Sequence, residues 1–437
     1  MIRLCFAVCL FVCCCSATTQ AEDWPHWLGP QGDSIWRESG IVKEFPAEGP
    51  KVLWRTPIGE GYSGPAVAQG YVIVTDYVSD SGPSHYEGTQ RDKRTGKERI
   101  LALSESTGEI VWKHEYDCPY NISYGAGPRS TPAIEGNRVY SVGAMGDLKC
   151  LSLDKGEVIW EVDFKKKYYD RPAHWGSCTH PLLHNDMLFC IVGGEGSIAV
   201  AFDKTTGKEI WKSLSASDIG YSSPAITQAG GVEQLIILSG DSVNGLNPKS
   251  GEVYWTHPFD TIYGLAVITP RVKNHYLFVA GTPQKSEMLQ LNKDKPAVEQ
   301  LWEGNGRLGI SAQSSIPFME GDFMYGVNGN AAFVCFDVKT GDHLWSTYEP
   351  TTGERSKKGA TAFAVKQEDR FFLFNSEGDL IIANLNPESY QELDRTHLID
   401  PGPSTNGMQM VWCHPAFANK NIYVRNHEEI IGVSLAK

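Results

Sequence analysis

The chain has 437 residues, is 41% apolar and 21% charged, and carries a formal net charge of −13. That balance belongs to an ordinary folded globular protein, and its acidity argues against nucleic acid or an anionic lipid surface as the main partner. A count of 44 glycines with 11% aromatic residues suits many short strands joined by tight turns.

At the N-terminus, Arg3 precedes an apolar run over residues 4–15, too short to span a bilayer. Small residues follow as far as Ala21. The pattern predicts a secretory leader over residues 1–21, cleaved after Ala21, and therefore a secreted or periplasmic protein without a membrane anchor. Lipidation at Cys13 is disfavoured because Val12 stands where a small residue is expected. Five of the 11 cysteines lie in this leader. The rest, Cys118, Cys150, Cys178, Cys190, Cys335 and Cys413, form no Cys-x-x-Cys pair, so no zinc site is expected. Cys150, Cys190 and Cys335 sit in apolar runs and read as buried thiols. Cys118 and Cys178 fall in loops, where an oxidising compartment would let them pair.

Residues 22–50 form an arm with Trp24, Trp27 and Trp36. It is too aromatic to be a free tail, and it is expected to pack across the outside of the fold. From residue 51 to 437 the chain is periodic. The clearest unit is Asp203-Lys-Thr-Thr-Gly207 between two apolar segments, closing on Trp211. Asp accepts hydrogen bonds from amides just downstream, and Gly takes the positive φ of the turn. Copies close on Trp112, Trp160, Trp255, Trp302 and Trp345, and successive tryptophans are 43 to 51 residues apart. A β-rich repeat of that length predicts four-stranded propeller blades.

A second landmark in each period is a small or polar residue leading to Pro: Pro65, Pro132, Pro181, Pro224, Pro270, Pro317 and Pro415. Gly359-Ala-Thr361 takes the same place without one. Eight landmarks predict an all-β, eight-bladed propeller, each blade starting with its inner strand after the Pro step. The last blade, over residues 412–435, has three strands only. Val52-Leu-Trp54-Arg55 is predicted to supply the fourth, so that the N-terminal strand closes the ring and removes the open edges. Each blade tryptophan, Trp54 included, is expected to wedge against a neighbouring blade with its indole N–H on backbone. Residues 79–97, 347–358 and 396–408 interrupt the period and are expected to rim one face.

The strand, the Asp-x-x-Thr-Gly turn and the closing Trp resemble the repeats of pyrroloquinoline-quinone (PQQ)-like β-propellers over residues 50–437. That superfamily contains quinoprotein alcohol dehydrogenases and BamB, the lipoprotein of the outer-membrane assembly machinery. Trp24-Pro-His-Trp-Leu-Gly-Pro-Gln-Gly32, Asp369-Arg-Phe-Phe and Trp412-Cys-His-Pro look like secreted members from planctomycete-type bacteria. For a dehydrogenase, the resemblance implies a quinone over the axis between a Trp and a disulfide of adjacent cysteines. It also implies calcium held by Glu and Asn, with an Asp as base. No adjacent cysteine pair follows the leader. Asp218 and Asn244 lie in suitable loops, but nothing in the sequence brings them together.

Residues before and within the inner strands converge on the axis: Tyr62, Arg129, Trp175, His180, Tyr221, Tyr263, Arg271, Gln313, Trp412 and His414. This aromatic, cationic and amide-bearing set suits an anionic or sugar-like ligand better than a metal. His180 and His414 hold equivalent places before Pro and are expected to bond neighbouring backbone. The expected function is non-catalytic binding of a protein, peptide or polysaccharide on one propeller face by a monomer, with an outer-membrane assembly-like role among the readings, and without a cofactor. The alternative is a PQQ- and calcium-dependent alcohol or sugar dehydrogenase.

Overall fold

A computed structural model describes residues 21–82, 84, 90–169, 172–282, 285–305, 308–311, 315–402 and 409–437. Eight antiparallel blades form the ring, their inner strands beginning at Ala66, Ala133, Leu182, Ala225, Arg271, Phe318, Ala362 and Ala416. We number them blades 1 to 8 in that order. Blade 3 shows the plan: Leu182–His184, Met187–Ile191, Ala199–Asp203 and Glu209–Ser213, paired in sequence. Blade 8 takes its outer strand from the other end of the chain, where Val52–Pro57 pairs antiparallel with Glu429–Ser434. The predicted closure is therefore the observed one.

The turn works as its residues dictate. Asp203 Oδ1 accepts from the amides of Thr205 and Thr206 at 3.0 and 2.7 Å, and Gly207 has φ of 71°. The glycine has a second duty. A Cβ at Gly108, Gly156, Gly207, Gly251 or Gly341 would come within 2.4 to 3.0 Å of the indole of the preceding blade's tryptophan. Trp54, Trp112, Trp160, Trp211, Trp302 and Trp345 donate their indole N–H to a carbonyl in the next blade's turn. Turn glycine and blade tryptophan are thus two halves of one interblade joint.

The exceptions fit the same physics. The blade 5 turn, Asn292-Lys-Asp-Lys-Pro-Ala297, has no glycine, and Trp255 bonds instead to Gln234 Oε1 of its own blade at 2.7 Å. Blade 7 has no tryptophan in its outer strand, Tyr390–His397. Its neighbour, blade 8, has no hairpin at that position because the two ends of the chain meet there. We expect Trp211→Ala to cost about 3–5 kcal/mol, since the buried ring joins blades 3 and 4. Gln234 also donates to Ala229 O at 2.9 Å, so Gln234→Ala should lower stability with or without Trp255 but more when Trp255 is present, as thermal melts of the single and double variants would show.

The arm departs from expectation: it plugs the axis. Trp24 exchanges backbone hydrogen bonds with Val67 of blade 1, and Pro25 O accepts from Ile134 of blade 2. Trp27 Nε1 reaches Thr269 Oγ1, just before blade 5, at 3.0 Å. Ile35–Trp36 then pairs in parallel with the inner strand of blade 7. Trp24, Leu28 and Trp36 are all buried. An eight-bladed ring leaves a channel that its own inner side chains do not fill, and the tryptophans bury their area there rather than on a polar outer surface. Gly29, at φ 85°, lets the arm turn against the Trp24 ring.

Cys118 and Cys178 are both free thiols rather than a disulfide. The interruption at 79–97 is anchored to the ring. Its segment Asp92–Arg94 pairs with Tyr120–Ile122, and buried Arg94 bonds Glu60 at 2.9 Å.

Candidate functional site

The inner strands run from an open mouth to the end that the arm seals. Residues just before those strands surround a cavity of about 540 Å³ at the mouth, with Trp27 of the arm forming part of its floor. The predicted residues Tyr62, Arg129, Trp175, His180, Tyr221, Trp412 and His414 all line it. Its remaining walls include Tyr124, Phe363, Cys178 and Lys358.

Two predicted residues lie elsewhere. Arg271 sits beside the arm, donating from Nη1 to Gly32 O at 3.1 Å and from Nη2 to Asp33 O at 3.2 Å. It holds the plug and does not line the cavity. Tyr263 is 75% exposed with φ of 56°, on the link into blade 5. A link residue need not point inward, and this one does not. Gln313 lies outside the described residues. The possible calcium ligands are also apart from the cavity. Asn244 is buried within blade 4, where its Oδ1 accepts from Thr256 Oγ1 at 2.8 Å. Asp218 lines a separate cleft with Arg91 and His174.

At the floor, Trp27 stacks on His180 at 3.7 Å and 19°, and meets His414 edge-on at 4.5 Å. The Thr131 amide donates to His180 Nδ1 at 2.7 Å, which leaves the His180 proton on Nε2. His414 Nδ1 lies 3.0 Å from Pro415 O. A carbonyl only accepts, so this nitrogen carries the proton and Nε2 offers a lone pair. Both rings do bond backbone, as the sequence predicts, and in opposite tautomers. Burial pushes His414 down to about 4 and His180 well below the ordinary histidine value, with the neighbouring His414 adding to the latter. Both are neutral at pH 7. Burial pushes the Cys178 thiol up to about 11, so it is no nucleophile at neutral pH.

The walls are aromatic and fixed. Trp412 Nε1 donates to Gly359 O at 2.9 Å, Tyr124 meets the Trp412 ring edge-on at 6.0 Å, and Trp175 meets Tyr221 at 5.4 Å. Arg129 lies over the Tyr62 ring at 5.3 Å and donates to the carbonyls of Ser123, Tyr124 and Gly127. These bonds hold the guanidinium in place without a carboxylate partner among the described residues. Lys358 adds a second cation at the exposed rim. No Asp, Glu, Asn or Gln occurs among the described lining residues.

Trp27, Tyr124 and Phe363 are not among the expected lining residues, whereas Lys358 ends the 347–358 segment that is expected to rim a face. Trp27 was hidden by the arm's assumed position. Tyr124 precedes the Pro132 step and Phe363 follows the Gly359-Ala-Thr361 landmark, so aromatic residues flanking the landmarks point to both.

Ring, repeat and plugged axis define a PQQ-like β-propeller of eight blades. The family described as "Outer membrane protein assembly factor BamB" matches residues 96–347 and 265–436, and the chain belongs to that family. The BamB of Yersinia pestis is 21% identical over 257 residues, covering 57% of this chain and 64% of its own length, just under two thirds. The crystal structure of BamB from Moraxella catarrhalis superposes with a TM-score of 0.55 at 13% identity, over 88% of this chain and 99% of that one. A quinohemoprotein alcohol dehydrogenase from Comamonas testosteroni has a TM-score of 0.60 at 11% identity, over 95% of this chain and 80% of that one. These structural likenesses are of fold alone. No helix among the described residues is long and apolar enough to cross a membrane.

Proposed function

We propose that the protein is an exported, non-catalytic binding propeller whose axial mouth takes an anionic, ring-bearing group presented by a protein or polysaccharide partner. One observation carries this reading. The cavity is walled by aromatic rings, holds Arg129 with Lys358 at its rim, and has no carboxylate among its described lining residues. Aromatic faces accept a flat ring, and a cation already fixed by backbone carbonyls attracts a carboxylate without rearranging. Membership of a family described as an assembly factor favours a protein as the presenter.

The donor set supports binding over quinone-dependent oxidation. Calcium takes oxygen ligands, carboxylates above all, and the described walls offer neither carboxylate nor side-chain amide. The aromatic walls would suit a quinone, but the metal shell does not fit, and the neutral histidines His180 and His414 are the candidate bases among the described walls.

Intrinsic tryptophan fluorescence tests the reading. Glucuronate should quench the Trp175 and Trp412 emission saturably, and glucose should not. Arg129→Gln should weaken glucuronate binding about tenfold or more, the scale of one lost charge-assisted hydrogen bond. Equal response to both sugars would overturn the anionic assignment. Incubation with PQQ and calcium should give no dye-linked alcohol oxidation, and sustained turnover would overturn the non-catalytic reading.

A further inference from the structure

The arm that closes the axis is tied down at its first residue. Glu22 N donates to Glu38 Oε1 at 3.0 Å, and Glu22 Oε2 accepts from Arg37 N at 2.9 Å. Asn419 N donates to Glu22 O at 3.2 Å. Glu38 is only 3% exposed, and its other oxygen accepts from Trp36 Nε1 and Lys420 N, each at 2.7 Å. The carboxylate thus has three N–H donors, yet no lysine, arginine or histidine pairs with it among the described residues. Its surroundings make the deficit worse. Asp23 and Glu105 share the neighbourhood, and repulsion from both Asp23 and Glu38 helps burial to raise the Glu105 carboxyl. A buried carboxylate without a cation is costly. The missing charge has an obvious source within the chain. The peptide nitrogen bonded to Glu38 is the one that a cut after Ala21 would turn into an α-ammonium, and Ala21 itself is exposed.

We propose that the Ala21–Glu22 bond is a processing site, and that the α-ammonium released on Glu22 forms a buried ion pair with Glu38 that locks the arm into the axis. A leader peptidase and one water suffice. The water's hydroxyl goes to the Ala21 carbonyl, and the new acid releases its proton to solvent to become a carboxylate; the water's other proton goes to the Glu22 nitrogen, which takes up one further proton from solvent. The neutral amide donor at 3.0 Å becomes a charged one, and such bonds are about twice as strong. Trp27, five residues on, is floor to the cavity. Maturation therefore completes the binding site, and the uncut precursor holds its arm more loosely.

The test has two parts. The full chain, exported from a bacterial host, should begin at Glu22 by intact mass. A start at any other residue, Cys13, Cys14 and Cys15 included, overturns the proposal. Four purified proteins are then compared: chains starting at Glu22 with a free amine, the same chains with a Gly-Ser extension, and Glu38→Gln in both forms. The free-amine chain should melt at least about 2 °C above the extended one at pH 7. The pair holds the amine's pKa above its ordinary value near 8, so this advantage is present below pH 8 and is lost as pH rises through the raised value. Glu105 and Tyr423 interact with Glu38, and Asp23 with Glu105, while Glu22's own carboxylate, Arg37 and Lys420 flank the pair through their backbone bonds; all are common to both forms. The gap should vanish in Glu38→Gln. No gap at pH 7, or an equal gap in Glu38→Gln, overturns the proposal. If Glu38→Gln does not fold, the amine decides instead. Reductive methylation should report a pKa at least about one unit above 8 in the free-amine chain, and an ordinary value overturns the pair. None of these readouts depends on what the mouth binds.

Discussion

A chain lacking residues 22–57 will aggregate rather than stay soluble. The deletion strips blade 8 of its outer strand and leaves the backbone of Glu429–Ser434 unpaired along one side. Ile430, Ile431 and Val433 of that strand are fully buried in the ring. A bare hydrophobic edge of this kind templates pairing between molecules. Trp54 goes too, and with it the joint to the turn of blade 1 at Glu105 and Gly108. Loss of that ring alone is worth about 3–5 kcal/mol, a large share of a typical folding free energy. A chain lacking only residues 22–36 keeps the strand, so it should fold and stay soluble, in the same oligomeric state as the undeleted chain, with a lower melting temperature. Its axis loses Trp24, Trp27 and Trp36. Size-exclusion chromatography with circular dichroism separates the two. A soluble, native-like product from the longer deletion would show that closure by Val52–Pro57 does not hold the ring.

The second large effect is with pH. His414 is 5% exposed, and burial lowers its pKa to about 4. A lowered histidine favours the neutral form in the folded state. Its contribution is whole above the unfolded value of about 6.5 and is lost as pH falls towards 4, a change of about 3 kcal/mol over that interval. His427 behaves alike, pushed down to about 3 by burial and by Arg425, and His180 shifts in the same direction. Buried carboxyls act oppositely. Glu98, Glu105 and Asp147 are raised by burial, so they favour the folded state as pH falls. The whole-protein slope is therefore a sum of both signs, and a variant isolates the histidine. His414→Gln keeps an N–H for Pro415 O and cannot titrate. Between pH 6.5 and 4.5 its stability should fall less steeply than that of the unchanged chain. Parallel curves from urea melts would show that His414 titrates normally.

The repeat was legible because each blade carries its own local chemistry. Turn, Pro step and tryptophan are read within a dozen residues, and closure follows from counting three strands at one end and a spare one at the other. The blade tryptophans were placed correctly in kind, though Trp255 turned to Gln234 where the next turn lacked a glycine. Convergence of the residues before the Pro steps was legible for the same reason, since a repeat puts equivalent positions at equivalent radii. That rule holds for Arg129, Trp175, His180, Tyr221, Trp412 and His414. It fails for Tyr263, where the link bulges outward, and for Arg271, one residue past its Pro.

What the sequence alone determined is the ring: the blades, their joints and the strand that shuts them. Those depend on hydrogen bonds and side-chain contacts between neighbours in a regular series, and a series shows itself in its period. Only the tertiary structure decided the course of the arm. That segment has no period, and its partners are remote in the chain, as Lys420 is for Glu38, 382 positions on. Trp27 shows the consequence. As sequence it is one aromatic residue in an irregular tail. In the fold it covers two neutral histidines, and it turns an open channel into a pocket with a floor.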